Sequence, residues 1–197
     1  MNGKCAGRLP EKVILASGSP RRRELLGQMG VGFEIDVPDV DEHVSGTPDK
    51  MVALLAERKA RAVAKKYEGG LIVAADTLVA LDDQALGKPE DDEDAKRMLH
   101  ALSGRTHDVY TGVCVMDAAT GEAMVCAERT GVVFRKLTDA EIDAYVATGE
   151  PRDKAGAYAI QGGAGAFVTG YVGSKTNVIG LPVERLDEML REMNDGK

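Results

Sequence analysis

The stretch ASGSPRRRELL, residues 16–26, decides the fold class, because it joins a short apolar strand directly to a capped helix. Val13, Ile14 and Leu15 read as the strand. Ser19 is placed to cap the helix and Pro20 to be its first residue, since proline fixes a helical φ and has no N–H to leave unsatisfied. The turn therefore faces free backbone N–H groups and the positive end of the helix dipole. Arg21, Arg22 and Arg23 follow at once, where a phosphate would find charge-assisted, bidentate partners. Taken alone, the segment also fits a capped surface helix with solvated arginines.

Outward from this point, strands and helices alternate without an internal repeat. A second strand is expected over residues 32–37, then an acidic loop over 38–43. A helix is expected over 49–67, with Met51, Leu54, Leu55 and Val63 on one face and Gly69-Gly70 stopping it. The strand over 71–75 is continuously apolar, as for a strand covered on both faces. Residues 94–102 carry Ala95, Met98, Leu99 and Leu102 at helical spacing. Two long strands, 109–116 and 124–137, flank a turn at 117–122 and predict an antiparallel hairpin. Thr138 and Glu141 form a capping-box pattern ahead of Ile142, Tyr145 and Val146, with Gly149 closing that helix. The last stretch, SKTNVIGLPVERL, is expected to return a strand to the core and to start a final helix near Pro182. The result is an α/β fold with a mixed sheet flanked by helices, in one domain over residues 1–197 or two small lobes around a shared cleft.

Composition narrows the function. The chain has 197 residues, 44% of them hydrophobic, which suffices for a real core. A net charge of −7 argues against a general nucleic-acid surface, so the arginine cluster reads as a local pocket for a small anion. No apolar run reaches membrane-spanning length, and the start, MNGKCAGRLPEK, lacks the apolar segment of a secretory signal, so a cytoplasmic location is expected. Cys5, Cys114 and Cys126 are odd in number and widely spaced, which suits reduced thiols with no chemical role. His43, His100 and His107 have no metal-ligand spacing and read as surface or structural residues.

Two further segments carry chemistry. In AADTLVALDDQALGKPED, residues 74–91, Asp76 and Thr77 are expected at the end of an apolar strand, where α/β proteins place ligands. A carboxylate there can hold a metal or take a proton from water; a turn-forming aspartate is the alternative. Lys88 stands between Gly87 and Pro89, in a restricted backbone that can aim it at a phosphate. Lys59 lies on a predicted helix, where most lysines are solvated. In GEPRDKAGAYAIQGGAGAFV, residues 149–168, Gly162, Gly163 and Gly165 permit close backbone approach to a ligand or simply a turn. Lys154 can contact phosphate, and Gln161 has the paired donor and acceptor that reads an amide-like base edge.

Together these segments, with ERKA, LSGRTHDVYTGV and NVIGLPVERL, resemble the Maf family of nucleoside triphosphate pyrophosphatases over nearly the whole chain. DKAGAYAIQG looks like the branch that hydrolyses dTTP and UTP; the 7-methyl-GTP branch carries Glu where this chain has Gln161. The resemblance implies a twisted mixed sheet around a deep cleft, akin to the inosine triphosphate pyrophosphatases, a homodimer, and metal-dependent release of pyrophosphate. It implies Asp76 as proton acceptor and Arg21, Thr77 and Gln161 as substrate-specificity positions. Ser17, Arg22, Lys59, Lys88 and Lys154 match the polar, phosphate-facing positions of the cleft, and Glu42 with Asp76 the acidic oxygens for a divalent cation, Mg²⁺ or Mn²⁺. The competing classes are a pyrophosphatase for 7-methyl-GTP or other purine triphosphates and a nucleotide-binding regulator of cell division, which needs no general base.

Overall fold

A computed structural model describes residues 12–195. Along the chain run β1 (Val13–Leu15), α1 (Pro20–Gln28), β2 (Phe33–Ile35), α2 (Pro48–Ala64), β3 (Leu71–Leu81) and β4 (Gln84–Leu86). They are followed by α3 (Asp92–Leu102), β5 (Thr106–Asp117), β6 (Ala123–Phe134), α4 (Asp139–Val146), β7 (Val168–Val172), α5 (Lys175–Ile179) and α6 (Val183–Asp195). The strands form one sheet in the order β2-β1-β3-β5-β6-β7, with β4 also paired to β3. β1 is parallel to β2 and β3, whereas β3, β5, β6 and β7 form an antiparallel ladder. The expected mixed sheet, the hairpin of β5 and β6 and the Thr138–Glu141 capping box are all present.

β3 departs from expectation in a way that makes the cleft. It does not end at Ala75 but continues to Leu81, because Asp76 and Thr77 interrupt the apolar run without breaking the ladder to β5. It then turns back into β4 through Asp82 and Asp83, whose φ values of 51° and 62° suit a tight two-residue hairpin. β1 pairs with β3 only over 71–73, and β4 only over 79–81. Since β5 occupies the other edge throughout, residues 74–78 lack a strand partner on the β1/β4 side. The ligand position is thus set by where β1 ends, not by where β3 ends.

Hydrophobic cores flank this opening. At one end, Leu26 of α1 and Leu186 and Leu190 of α6 bury Leu15, Val73 and Val113 on one face of the sheet. On the opposite face, Ala56, Ala60 and Val63 of α2 cover Ile14, Ile72 and Cys114. At the other end, α3 and α4 pack Leu99, Leu102, Ile142 and Tyr145 against Val79, Val109, Val132 and Phe134. The two ends are the two lobes.

Two expected elements differ. The stripe that α2 buries is Val52, Leu55, Ala56, Lys59, Ala60 and Val63, while Leu54 is exposed and Met51 half-buried. Small residues were wanted on that face, because the helix lies nearly on the sheet: a Cβ on Gly112 of β5 would fall 2.1 Å from the Val52 carbonyl oxygen. Residues 175–179 form the short helix α5 rather than a strand. Ser174 caps it through the N–H of Asn177, whose fully buried side chain donates from Nδ2 to the Val109 carbonyl and Thr130 Oγ1 while its Oδ1 meets no partner. Among the described residues no helix is long and apolar enough to cross a membrane. Cys114 is buried and Cys126 half-buried, both free; Cys5 lies outside the described residues.

Candidate active site

Ser17, Arg21, Arg22, Glu42, Lys59, Asp76, Thr77, Lys88, Lys154 and Gln161 all line one cleft of about 800 Å³ between the lobes. That volume lies in the range of small-molecule sites. The alternation of β3 explains how two polar neighbours serve it from different sides. Asp76 follows Ile72 and Ala74 onto the α2 face, and Thr77 follows Val73 and Ala75 onto the α1/α6 face.

On the α2 side, Lys59 Nζ donates to Asp76 Oδ1 at 2.7 Å and lies 2.6 Å from Glu42 Oε1. Lys59 is buried because it belongs to the stripe that α2 lays on the sheet, seven residues, or two turns, beyond Val52. The general habit of helix lysines therefore misplaces it. Its hydrogen bond holds the Glu42 carboxyl below the usual carboxylate range, against the opposing effect of burial. No other protein donor reaches Asp76 among the described residues, so its second oxygen is left for chemistry.

On the α1 side, the predicted cap is present. Ser19 Oγ accepts from the N–H of Arg22, and Pro20 is the first helical residue. Arg22 turns into the cleft. Its Nε donates to the Gly180 carbonyl at 2.8 Å, Nη1 to Ser17 Oγ at 3.4 Å and Nη2 to Thr77 Oγ1 at 3.0 Å. All three acceptors are neutral, and among the described residues no carboxylate forms an ion pair with Arg22. Burial lowers its pKa, an effect the charge of Asp76 opposes. Of five guanidinium N–H groups, two remain to meet an anion. Arg21 also lines the cleft, but Arg23 is exposed outside it, as the 100° turn per helical residue requires.

The opposite wall carries the remaining candidates. Lys88 is exposed on the rim, and Lys154 pairs with Asp153. Gln161 is exposed at the head of a glycine turn. These glycines make room for a carboxylate of the chain itself: a Cβ on Gly162 would fall 1.9 Å from Glu150 Oε1. Glu150 Oε2 accepts from the N–H of Gly163 at 3.0 Å and Oε1 from the Tyr145 hydroxyl at 2.9 Å, tying the turn to α4. Sequence reasoning missed Glu150, Thr111 and Gly112. Only the last has a readable signal, a glycine inside a strand, which marks close backbone approach.

Two carboxylates, Glu42 and Asp76, converge on one positively charged group, Lys59. Such hard oxygen donors fit a Mg²⁺-type ion that takes one or two carboxylates and completes its shell with phosphate and water. No group of three or more His, Cys, Asp or Glu side chains suited to a metal occurs among the described residues. The cleft supplies a partial ligand set, not a complete cage.

A family model described as Maf-like protein matches residues 12–193. The dTTP/UTP pyrophosphatase of Pelotomaculum thermopropionicum is 53% identical over 184 residues, 92% of this chain and 96% of that protein. The dTTP/UTP pyrophosphatase of Anaeromyxobacter dehalogenans strain 2CP-C is 52% identical, over 91% of this chain and 93% of its own length. Among solved structures, a HAM1 protein from Coxiella burnetii shares the fold with a TM-score of 0.55 at 20% identity, covering 92% of this chain and 98% of that one.

Proposed function

This chain belongs to the Maf family, and we propose that it hydrolyses dTTP and UTP to the nucleoside monophosphate and pyrophosphate. The observation that carries this reading is Arg22: a charge held only by neutral acceptors, facing a carboxylate whose second oxygen is free. The relatives named dTTP/UTP pyrophosphatase support the substrate, and so does Gln161. An amide both donates and accepts, matching the O4 and N3–H edge of thymine or uracil.

In this mechanism, Asp76 takes a proton from the attacking water through the oxygen that Lys59 leaves free. A bond forms from the water oxygen to the α-phosphorus as the bond to the bridging oxygen breaks, and pyrophosphate leaves. Lys59 has a third N–H beyond those on Glu42 and Asp76, and Arg22 has two beyond its protein contacts; these meet the phosphates. Lys88 and Lys154 complete the charge from the other wall. Arg21 and Gln161 make up the specificity positions, while the Thr77 hydroxyl is taken up by Arg22. Glu42 and Asp76 would hold a divalent cation, Mg²⁺ or Mn²⁺, which when bound would neutralise charge on the leaving group. Positioning and electrostatics dominate such transfers.

Chromatography of the products tests the reading: monophosphate and pyrophosphate are expected, and diphosphate with orthophosphate as primary products would contradict attack at the α-phosphorus. A homodimer and a cytoplasmic location form part of the same proposal. Exposed Tyr171 and Val172 on the outermost strand β7 support self-association, which light scattering reads.

A further inference from the structure

We propose that Thr77 and the buried Thr111 behind it are positioning residues for Arg22, linked by a hydroxyl relay of fixed direction that leaves Thr77 no proton with which to read a base. The inference rests on the phosphate role given to Arg22 above.

The direction follows from counting protons. Thr111 Oγ1 donates to the carbonyl of Asn177 at 2.9 Å, and a carbonyl only accepts. A hydroxyl has one proton and two lone pairs. In the 2.9 Å contact between Thr77 Oγ1 and Thr111 Oγ1, Thr77 must therefore be the donor. Its oxygen already accepts from Arg22 Nη2 at 3.0 Å. The proton and one lone pair of Thr77 are thus committed inside the protein, and the polarised chain makes that oxygen a better acceptor for the guanidinium.

The relay ends on a rigid anchor. Asn177 is fully buried, and its Nδ2 donates to the Val109 carbonyl and to Thr130 Oγ1, both at 3.0 Å. Three residues on, Gly180 accepts directly from Arg22 Nε at 2.8 Å. Its φ of +122° excludes most side chains, and a Cβ there would lie 3.4 Å from Thr77 Oγ1 and 3.6 Å from Arg22 Nε. The α5 segment therefore fixes the guanidinium plane at two points, directly at Nε and through Thr111 and Thr77 at Nη2. Without a carboxylate partner, this is what keeps a long cationic side chain from swinging away before substrate arrives.

The test uses full-length Thr77→Val and Thr111→Val proteins, the corresponding serine variants, and the same valine changes in an Arg22→Lys background. Thr111 has no exposed surface, so it cannot meet a nucleotide. Both valines are expected to lower kcat/KM on dTTP, UTP, CTP and GTP by a common factor of roughly 10- to 100-fold, the scale of small misplacements in a site. The serines should recover most of that loss. In the Arg22→Lys background the valines should add less than about twofold, since coupled residues are not additive. A calorimetric titration of inorganic triphosphate should weaken in parallel for both valines. The proposal is overturned if Thr77→Val changes the ratio among nucleotides while Thr111→Val does not. It is equally overturned if Thr111→Val lowers Tm but leaves kcat/KM and triphosphate affinity unchanged. Should the wild-type protein release no pyrophosphate from dTTP or UTP, the functional reading fails, and the triphosphate titration still decides the relay.

Discussion

Gly112→Ala is expected to damage catalysis through a helix rather than through the cleft. The added Cβ would lie 2.1 Å from the Val52 oxygen, 2.3 Å from its carbonyl carbon and 2.6 Å from the nitrogen of Ala53. All three are backbone atoms, so no side chain can rotate away, and α2 must retreat by about 1 Å or more to restore ordinary contact. Overpacking of this kind typically costs about 1–3 kcal/mol, and a backbone clash belongs at the upper end. Lys59 rides on the same face of α2. A retreat of about 1 Å takes its 2.7 Å bond to Asp76 beyond hydrogen-bond length, and misplacements of that size lower turnover by about 10²-fold. Denaturation midpoints and kcat on dTTP measure the two effects. Gly170→Ala in β7, where a Cβ meets nothing within 4 Å, is the control expected to match wild type. Wild-type stability and kcat in Gly112→Ala would refute the argument that close helix approach places Lys59.

Asp76→Asn should lower kcat by about 10²–10⁴-fold, the usual contribution of a general base, while leaving Tm nearly unchanged; near-normal turnover in the folded variant removes Asp76 from that role. Gln161→Glu should weaken dTTP and UTP hydrolysis more than the binding of free pyrophosphate, because an ionised glutamate can only accept and would face the O4 lone pairs. An equal fractional loss on CTP and GTP would mean that Gln161 supports the site without reading the base. Stability should fall on acidification through His107, whose pKa burial lowers to about 4 from the ordinary histidine value of 6.5. Between these values the unfolded chain binds a proton that the folded chain refuses, so stability is full above pH 6.5 and drops as pH falls toward 4, by about 3 kcal/mol in all. Urea titrations at pH 7 and 4.5 check this; equal unfolding free energies would contradict it.

Much of the site was legible because its residues sit beside strong local signals. Ser19 and Pro20 mark a helix start whatever the rest of the chain does, and they fix where Arg21 and Arg22 emerge. Thr138 and Glu141 are equally local. What sequence hid is long-range. Lys59 reads as a solvated helix lysine until Ala56 and Ala60 beside it are seen to pack on Ile14, Ile72 and Cys114. β3 reads as ending at Ala75, because nothing in its own sequence says that β1 stops short and frees an edge there. Glu150 lies thirteen residues from Gly163, and only the folded turn brings its carboxylate to that N–H.

The opening in the sheet edge also governs what the protein can associate with. Leu71 N–H bonds to Lys12 and Val73 C=O to Ala16, so these alternate residues face β1. By the same alternation the amide of Thr77, which lines the cleft, points toward the missing strand. An unpaired strand edge is ordinarily an invitation to another polypeptide and a route to aggregation. Here β1 closes one end and β4 the other, leaving an interruption of five residues, about 17 Å of strand. A foreign strand has no length over which to zip, whereas a compact polar molecule can lie against the strand at Thr77. The fold thus keeps a sticky edge for small guests and denies it to chains like itself.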